Sequence, residues 1–536
     1  MLGDVRLLRL FRILAVLLVG VVVIRVAWVS DDALITLRTA LNISHNWGPG
    51  FNATESVQAF THPLWFLLWV WVGSWTNQWI LGVIALSVIF VVIATALLVQ
   101  RVSSLPRLVI VTGFLLLSNA FIDFTTSGLE NPLAYAVIAV LMTLSLRQNP
   151  ADSTPWWWAA VVGLTTAAVV LTRLDLVTLV ALPLALLLWQ YRANVRVIII
   201  GLAAFLTPLV VWFTWSYLTY AALLPNTFAA KTNAEIPRGE FIIQGLRYLW
   251  VSFENDPVTM IGLAVGIGMG LTLGPRILRA WAGGAAVYIG YVVWIGGDFM
   301  GGRFLAVPFF VAIFVLAALP LEQAPDSEPA REHPPNPEHN AMLLAGAGVV
   351  VALLVIGSTA AGTRSTSLFN PQEERWGFLD HGVADERGFY VSQGHDLKEM
   401  VDNLSLAFTD PDFVPISDLT GVGRPLRNLD KSARNWPVND GTFTLPAQVG
   451  VVGQLGWPGI AAGPTVHIID PLALADRYLA AKPFVPAAPL IWRPGHLERT
   501  VSDDYIEAIA TDNPMKMRDT AEAWKLRKLW EQIRRP

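Results

Sequence analysis

VVVIRVAWVSDDALITLRT, residues 21–39, decides the fold. An apolar run passes Arg25 and Trp28 and then ends on two adjacent carboxylates, Asp31 and Asp32. Residues 10–28 are apolar enough for a spanning helix, which needs roughly 20 such residues. The two acids therefore mark the point where the chain leaves a greasy environment.

The rest of the chain has the same character. Of its 536 residues, 54% are hydrophobic and 15% charged, against about 25% charged in a soluble domain. This points to a multi-pass membrane protein. The net charge of −4 gives no argument for a nucleic-acid partner. The absence of cysteine excludes disulfides and thiolate metal sites. The 22 tryptophans suit membrane interfaces. No small-x-small cleavage site follows the first apolar run, so an uncleaved first helix is expected.

Spans are expected near 10–28, 79–99, 108–122, 131–146, 157–172, 174–191, 197–219, 257–273, 280–296, 304–320 and 341–359. The Trp-rich stretch HPLWFLLWVWVGSW (62–75) is short for a span and reads as an interfacial or re-entrant helix. Charge bias supports that choice. If 62–75 does not span, Arg101, Arg107, Arg147, Arg192, Arg196, Arg276 and Arg279 share the cytoplasmic side with Arg6, Arg9 and Arg12. Residues 30–78, 123–130, 221–256 and 297–303 then face outward. The Pro-rich loop 321–339 would be a cytoplasmic linker. The expected fold is a polytopic α-helical membrane domain (1–361, about eleven transmembrane helices), followed by an outer C-terminal α/β or α+β domain (362–536). Its last helix, near 514–534, is amphipathic: Leu526, Leu529, Trp530 and Ile533 share one face. That face either docks on its own domain or lies on anionic lipid.

The unusual polar residues gather on the expected outer side, and no internal repeat of the transporter kind is visible. An outward cavity lined by acids and bases at a lipid boundary suits chemistry on a lipid-linked substrate. Asp31 and Asp32 fit a general base and its partner, since close carboxylates raise one another's pKa. They fit equally well as the start of the helix ALITLRT. TVSDDYIEAI repeats the doublet at Asp503 and Asp504, where a helix start is the natural reading. Arg173 in LTRLD fits a phosphate ligand or a partner of Asp175. Asp298 and Arg303 bracket the glycine-rich GGDFMGGR, which suits an anion site or a tight turn closed by an ion pair. Lys231 adds charge to a phosphate site or is solvated. His62 is a hydrogen-bonding or metal-ligating candidate or a satisfied interfacial histidine. Glu130 fits a contact to a sugar hydroxyl or a cap for the next helix. A divalent cation has a place only at the Asp pair.

In order along the chain, SDDALITLRT, FTTSGLEN, LTRLD, GGDFMGGR and DERGFY (385–390) resemble the GT-C glycosyltransferases. Within these they are most similar to the terminal β-(1→2)-arabinofuranosyltransferases of mycobacteria and corynebacteria. AFTHPLW and RPGHLER (493–499) are closer to broader bacterial relatives of that class. The resemblance implies a GT-C fold with a periplasmic active site and an arabinofuranose donor carried on decaprenyl phosphate. It further implies an acceptor at the non-reducing end of cell-wall arabinan, in arabinogalactan or lipoarabinomannan. It gives Asp31 and Asp32 the catalytic position and the C-terminal domain a part in holding glycan. The chemistry of a departing lipid phosphate asks for fixed positive charge, for which Arg173, Arg303 or Lys231 are the candidates. Donor and product are both β-linked in those enzymes, so retention would need a carboxylate nucleophile or front-face attack. Another polyprenyl-phosphate sugar such as mannose, or a lipid or glycan transporter, are the alternatives.

Overall fold

The computed structural model describes residues 2–146, 155–321, 380–391, 430, 436–486 and 492–534. The expected linker at 321–339, apart from Leu321, and the expected span at 341–359 lie outside them.

Helix α1 (Leu2–Arg25) has 24 residues, about 36 Å at the usual rise. Its outward stripe of Leu10, Ile13, Leu17 and Val21 opposes buried Val19, Val22 and Val23. That is the pattern of a helix facing lipid on one side and protein on the other. α2 (Asp31–Ser44) follows almost at once and is mostly buried. α3 (Pro63–Thr76) is the Trp-rich segment: 14 residues, with Trp65 and Trp69 buried and Trp71 stacked on Trp75 at the surface. α4 (Trp79–Val99) is long and apolar.

The expected span at 108–122 is broken. α5 (Leu105–Leu117) and α6 (Asn119–Thr125) meet at 64° at Ser118, whose hydroxyl accepts from Phe121 N. α7 (Asn131–Leu146), α8 (Trp156–Thr172), α9 (Val177–Gln190) and α10 (Val195–Tyr220) follow. The region 221–256 carries α11 (Asn226–Thr232) and the amphipathic α12 (Arg238–Asn255). α12 meets α13 (Pro257–Leu273) at 111°. Asp256 fixes that corner by accepting from Thr259 N at 3.1 Å, and it also accepts from Ala120 N at 2.8 Å, so the two bends are tied together. α14 (Arg276–Trp294) and the almost wholly buried α15 (Arg303–Ala318) complete the helices before residue 321.

Among the described residues, four helices are long and apolar enough to cross a membrane, or six if each bent pair is one span. Four shorter apolar helices accompany them. The short ones need neighbours and interfacial residues to match the bilayer, which is why length alone undercounts them.

Toward the C-terminus come α16 (Glu386–Val391), β1 (Gln448–Val451), α17 (Gly456–Ala462) and β2 (Val466–Ile469). The strands pair in parallel, Gln448 opposite Val466. α18 (Arg477–Ala480), α19 (Asp503–Ala510) and α20 (Thr520–Ile533) pack beside them. On α20, Ala523, Leu526 and Trp530 bury in one cluster with Tyr478 and Tyr505, and Ile533 is buried too, so its apolar face is docked within the protein. Arg38 of α2 ties this region to the bundle through the carbonyls of Phe51, Gly459 and Val466.

Candidate active site

The two VSDD stretches fold alike locally and differ in their surroundings. Ser30 caps α2 by accepting from Ala33 N, as Ser502 caps α19 by accepting from Tyr505 N. In both, the cap is the serine and the acids occupy the first turn, where the helix dipole favours them. Asp504 then meets the exposed Arg518. Asp31 is buried and grips the start of α17: its oxygens accept from Gly456 N at 2.9 Å, Trp457 N at 2.8 Å and Gln454 Nε2 at 3.4 Å. Only glycine allows this approach at 456, since a Cβ there would lie 2.0 Å from the Asp31 carbonyl oxygen. Burial pushes the Asp31 carboxyl up to about 6, against the two backbone donors that hold it down, and the charge of Asp32 raises it further.

Asp32 points elsewhere. Its Oδ2 meets Arg303 Nη1 at 3.1 Å and its side chain is 28% exposed. Arg303 begins α15 directly after Gly302, whose φ of 84° and contact with Ala120 exclude a side chain. Behind Arg303 stands Glu130, 1% exposed. Glu130 lies 3.7 Å from Arg303, 3.4 Å from Arg173 and 3.1 Å from His62 Nδ1. Burial alone would raise this carboxyl. Contact with His62 and the charges of Arg303 and Arg173 outweigh it and hold Glu130 well below the usual carboxylate range. His62 Nε2 bonds Thr36 Oγ1 at 2.8 Å. Arg173 forks onto Asp175 at 3.0 and 2.6 Å, and Tyr288 OH donates to the same carboxylate at 2.9 Å. Asp298 lies 4.0 Å from Arg303 and accepts from Phe299 N. Among the described residues, Arg173 Nη1, which lies 3.4 Å from Glu130, Arg303 Nε and Asp298 Oδ2 are buried without a hydrogen-bond partner. Two of these are cationic donors, the kind of unmet demand that an anion satisfies.

Two adjoining cavities surround this cluster. One, about 670 Å³, is lined by Asp31, Asp32, His62, Lys231, Arg303 and residues of the C-terminal region. The other, about 490 Å³, is lined by Glu130, Arg173, Lys231, Asp298 and Arg303, with Leu224, Phe228, Trp294 and Trp492 giving it an apolar side. Lys231 and Arg303 belong to both. All eight residues singled out in the sequence thus line one or other cavity. Among the described residues, no group of three or more His, Asp or Glu side chains is placed to hold a metal ion.

Sequence reasoning missed five further residues lining the larger cavity: Glu386, Tyr390, Gln454, Arg493 and His496. DERGFY and RPGHLER carry four of them, yet nothing in their spacing places them in one cavity with Asp32. A backbone link brings DERGFY there, with Ala384 N donating to Phe299 O at 2.6 Å and Gly301 N donating to Ala384 O at 2.9 Å, and Arg493 follows by donating to Gly382 O at 3.1 Å.

No protein-family model matches the chain. Over 420 residues it is 28% identical to the terminal β-(1→2)-arabinofuranosyltransferase of Mycobacterium tuberculosis, covering 69% of this chain and 63% of that protein. The chain is similar to arabinofuranosyltransferases. The enzyme of the same name from Corynebacterium glutamicum is 24% identical over 531 residues, covering 85% of this chain and 71% of that one. The chain therefore spans less than two thirds of the mycobacterial relative. Among solved structures, ArnT from Cupriavidus metallidurans bound to undecaprenyl phosphate aligns with 96% of this chain and 90% of its own, at 14% identity and a TM-score of 0.48.

Proposed function

We propose that the chain is a membrane glycosyltransferase of the GT-C class that moves arabinofuranose from a polyprenyl phosphate to the end of a cell-wall arabinan. The observation that carries the mechanism is the double membership of Arg303. It lines both cavities and joins Asp32 in one to Glu130 in the other. The donor phosphate sits at this seam, with Arg303 and Lys231 as charge partners and Arg173 held behind them by Asp175 and Glu130. The polyprenyl chain leaves along the apolar side of the smaller cavity. The sugar and the acceptor occupy the larger one.

Transfer breaks the bond between the anomeric carbon and the phosphate oxygen, and the phosphate departs with the electron pair. Fixed cations at that oxygen stabilise the developing charge without reorganising. Asp32 is the reacting carboxylate. It either takes the acceptor hydroxyl proton as that oxygen attacks, or attacks the sugar carbon first. The anomeric configuration of the product separates these, since one displacement inverts and two retain. Asp31 supports by fixing the N-terminus of α17. The active face and the C-terminal region lie on the periplasmic side.

The test is turnover by the full chain in lipid nanodiscs, with polyprenyl-phosphoryl arabinofuranose and an arabinan oligosaccharide. Extension of the acceptor with release of polyprenyl phosphate supports the reading. Faster transfer from a mannosyl donor overturns the sugar. Substrate movement across sealed vesicles without covalent transfer overturns the enzyme.

A further inference from the structure

The larger cavity holds a third carboxyl that the transfer steps above do not use. Glu386 opens α16 and is 8% exposed, yet it lines the cavity. Among the described residues no hydrogen bond or ion pair engages its carboxyl. Its neighbour Asp385 does the structural work, accepting from Gly388 N at 3.0 Å as the helix cap. The turn is further fixed by Arg387, whose Nε donates to Val26 O and which lies 3.7 Å from Asp123. The fold thus spends Asp385 and Arg387 on anchoring and leaves Glu386 facing the cavity.

We propose that Glu386 contacts the substrates directly, hydrogen-bonding a sugar hydroxyl in the cavity it shares with Asp32. This rests on the glycosyltransfer reading and adds a residue to it. A buried carboxyl without a partner is costly, and a ligand hydroxyl that enters the cavity removes the cost. The surroundings select its form. Burial pushes the Glu386 carboxyl up well above the usual range, the charges of Asp32, Asp31 and Asp298 add to that, and Arg493 opposes them. Tyr390, His496, His62, Lys231, Gln454 and Arg303 line the same cavity. The neutral acid donates its proton to a hydroxyl oxygen.

The experiment compares Glu386→Gln and Glu386→Ala in the full chain in nanodiscs. Gln keeps a donor and Ala removes it. Glu386→Ala should lower kcat/KM by about tenfold, the scale of one lost hydrogen bond. A rise in donor KM assigns the hydroxyl to the transferred sugar, and a rise in acceptor KM assigns it to the glycan. Glu386→Gln should keep most activity at neutral pH and lose the alkaline decline that ionisation of Glu386 gives the parent. Unchanged kinetics in Glu386→Ala would overturn the proposal, as would a Gln variant as impaired as Ala. If the parent chain transfers no sugar, the glycosyltransfer reading fails instead, so the two failures are distinct.

Discussion

Asp32 and Arg303 stand 271 positions apart in sequence and meet at 3.1 Å, one at the start of α2 and the other at the start of α15. The pair holds a carboxylate and a guanidinium ready on the same cavity wall. Asp32→Asn keeps the shape and removes the carboxylate proposed as base or nucleophile. Transfer should fall by about 10²–10⁴-fold, the range for losing a positioned acid–base group. The melting temperature should change little, because Asp32 is partly exposed. Turnover and thermal unfolding of the same preparation check this, and full activity would remove Asp32 from the chemistry.

Asp31 behaves differently, because its carboxylate is consumed by α17. Gly456→Ala places a methyl against the Asp31 backbone and should cost about 1–3 kcal/mol, as overpacking does. Asp31→Asn turns one acceptor oxygen into a donor facing N–H groups and should destabilise on the same scale. Both variants should lower the melting temperature, with activity falling as α17 and Gln454 shift. The pH dependence separates them. Asp31 is raised in the fold, so its contribution is present below the ordinary aspartate value of about 3.9 and is lost as pH rises through about 6. That slope should persist in Gly456→Ala and vanish in Asp31→Asn.

Much of this was legible in the chain, for a physical reason. Charged residues in an apolar sequence are expensive, so Asp32, Glu130, Arg173, Asp298 and Arg303 stood out before any coordinates. What they pair with was not legible. The sequence offers Asp175 as the neighbour of Arg173, but Glu130, 43 positions earlier, comes to it only because α6 bends at Ser118. Glu386 and Gln454 sit in ordinary polar surroundings, where an acid carries no signal. Helix breaks also hid. Residues 108–122 are apolar throughout except for Thr112, Ser118 and Asn119, and a serine cap inside such a run looks like a tolerated polar residue.

Glu130 is the keystone of the cationic cluster. Glu130→Gln leaves Arg173 and Arg303 without their common counter-charge and removes the carboxylate beside His62 Nδ1. Removing one partner of a buried ion pair costs about 3–5 kcal/mol. The parent carboxyl is held below its ordinary value, so its contribution is complete above about pH 4.3 and fades as pH falls. The Gln variant should therefore be less stable at neutral pH and show a flatter acid limb. Thermal unfolding between neutral and acid pH measures both. Equal melting temperatures at neutral pH would show that the cluster does not depend on Glu130.

The sidedness of the membrane is open to direct measurement because the chain has no cysteine of its own. Lys528 is exposed on α20, away from the buried Leu526 and Trp530. Its substitution removes a surface cation and should leave the fold intact, since such changes are usually within about 0.5 kcal/mol. Lys528→Cys in intact cells should react with a membrane-impermeant maleimide if the C-terminal region is periplasmic. Arg101, in the basic connection after α4, is expected inside, so Arg101→Cys should react only after the membrane is opened. The reverse pattern would invert the topology and place the cavities on the cytoplasmic face. A polyprenyl-linked donor would then have to be met on that side, and the periplasmic assignment of the transfer would fall with it.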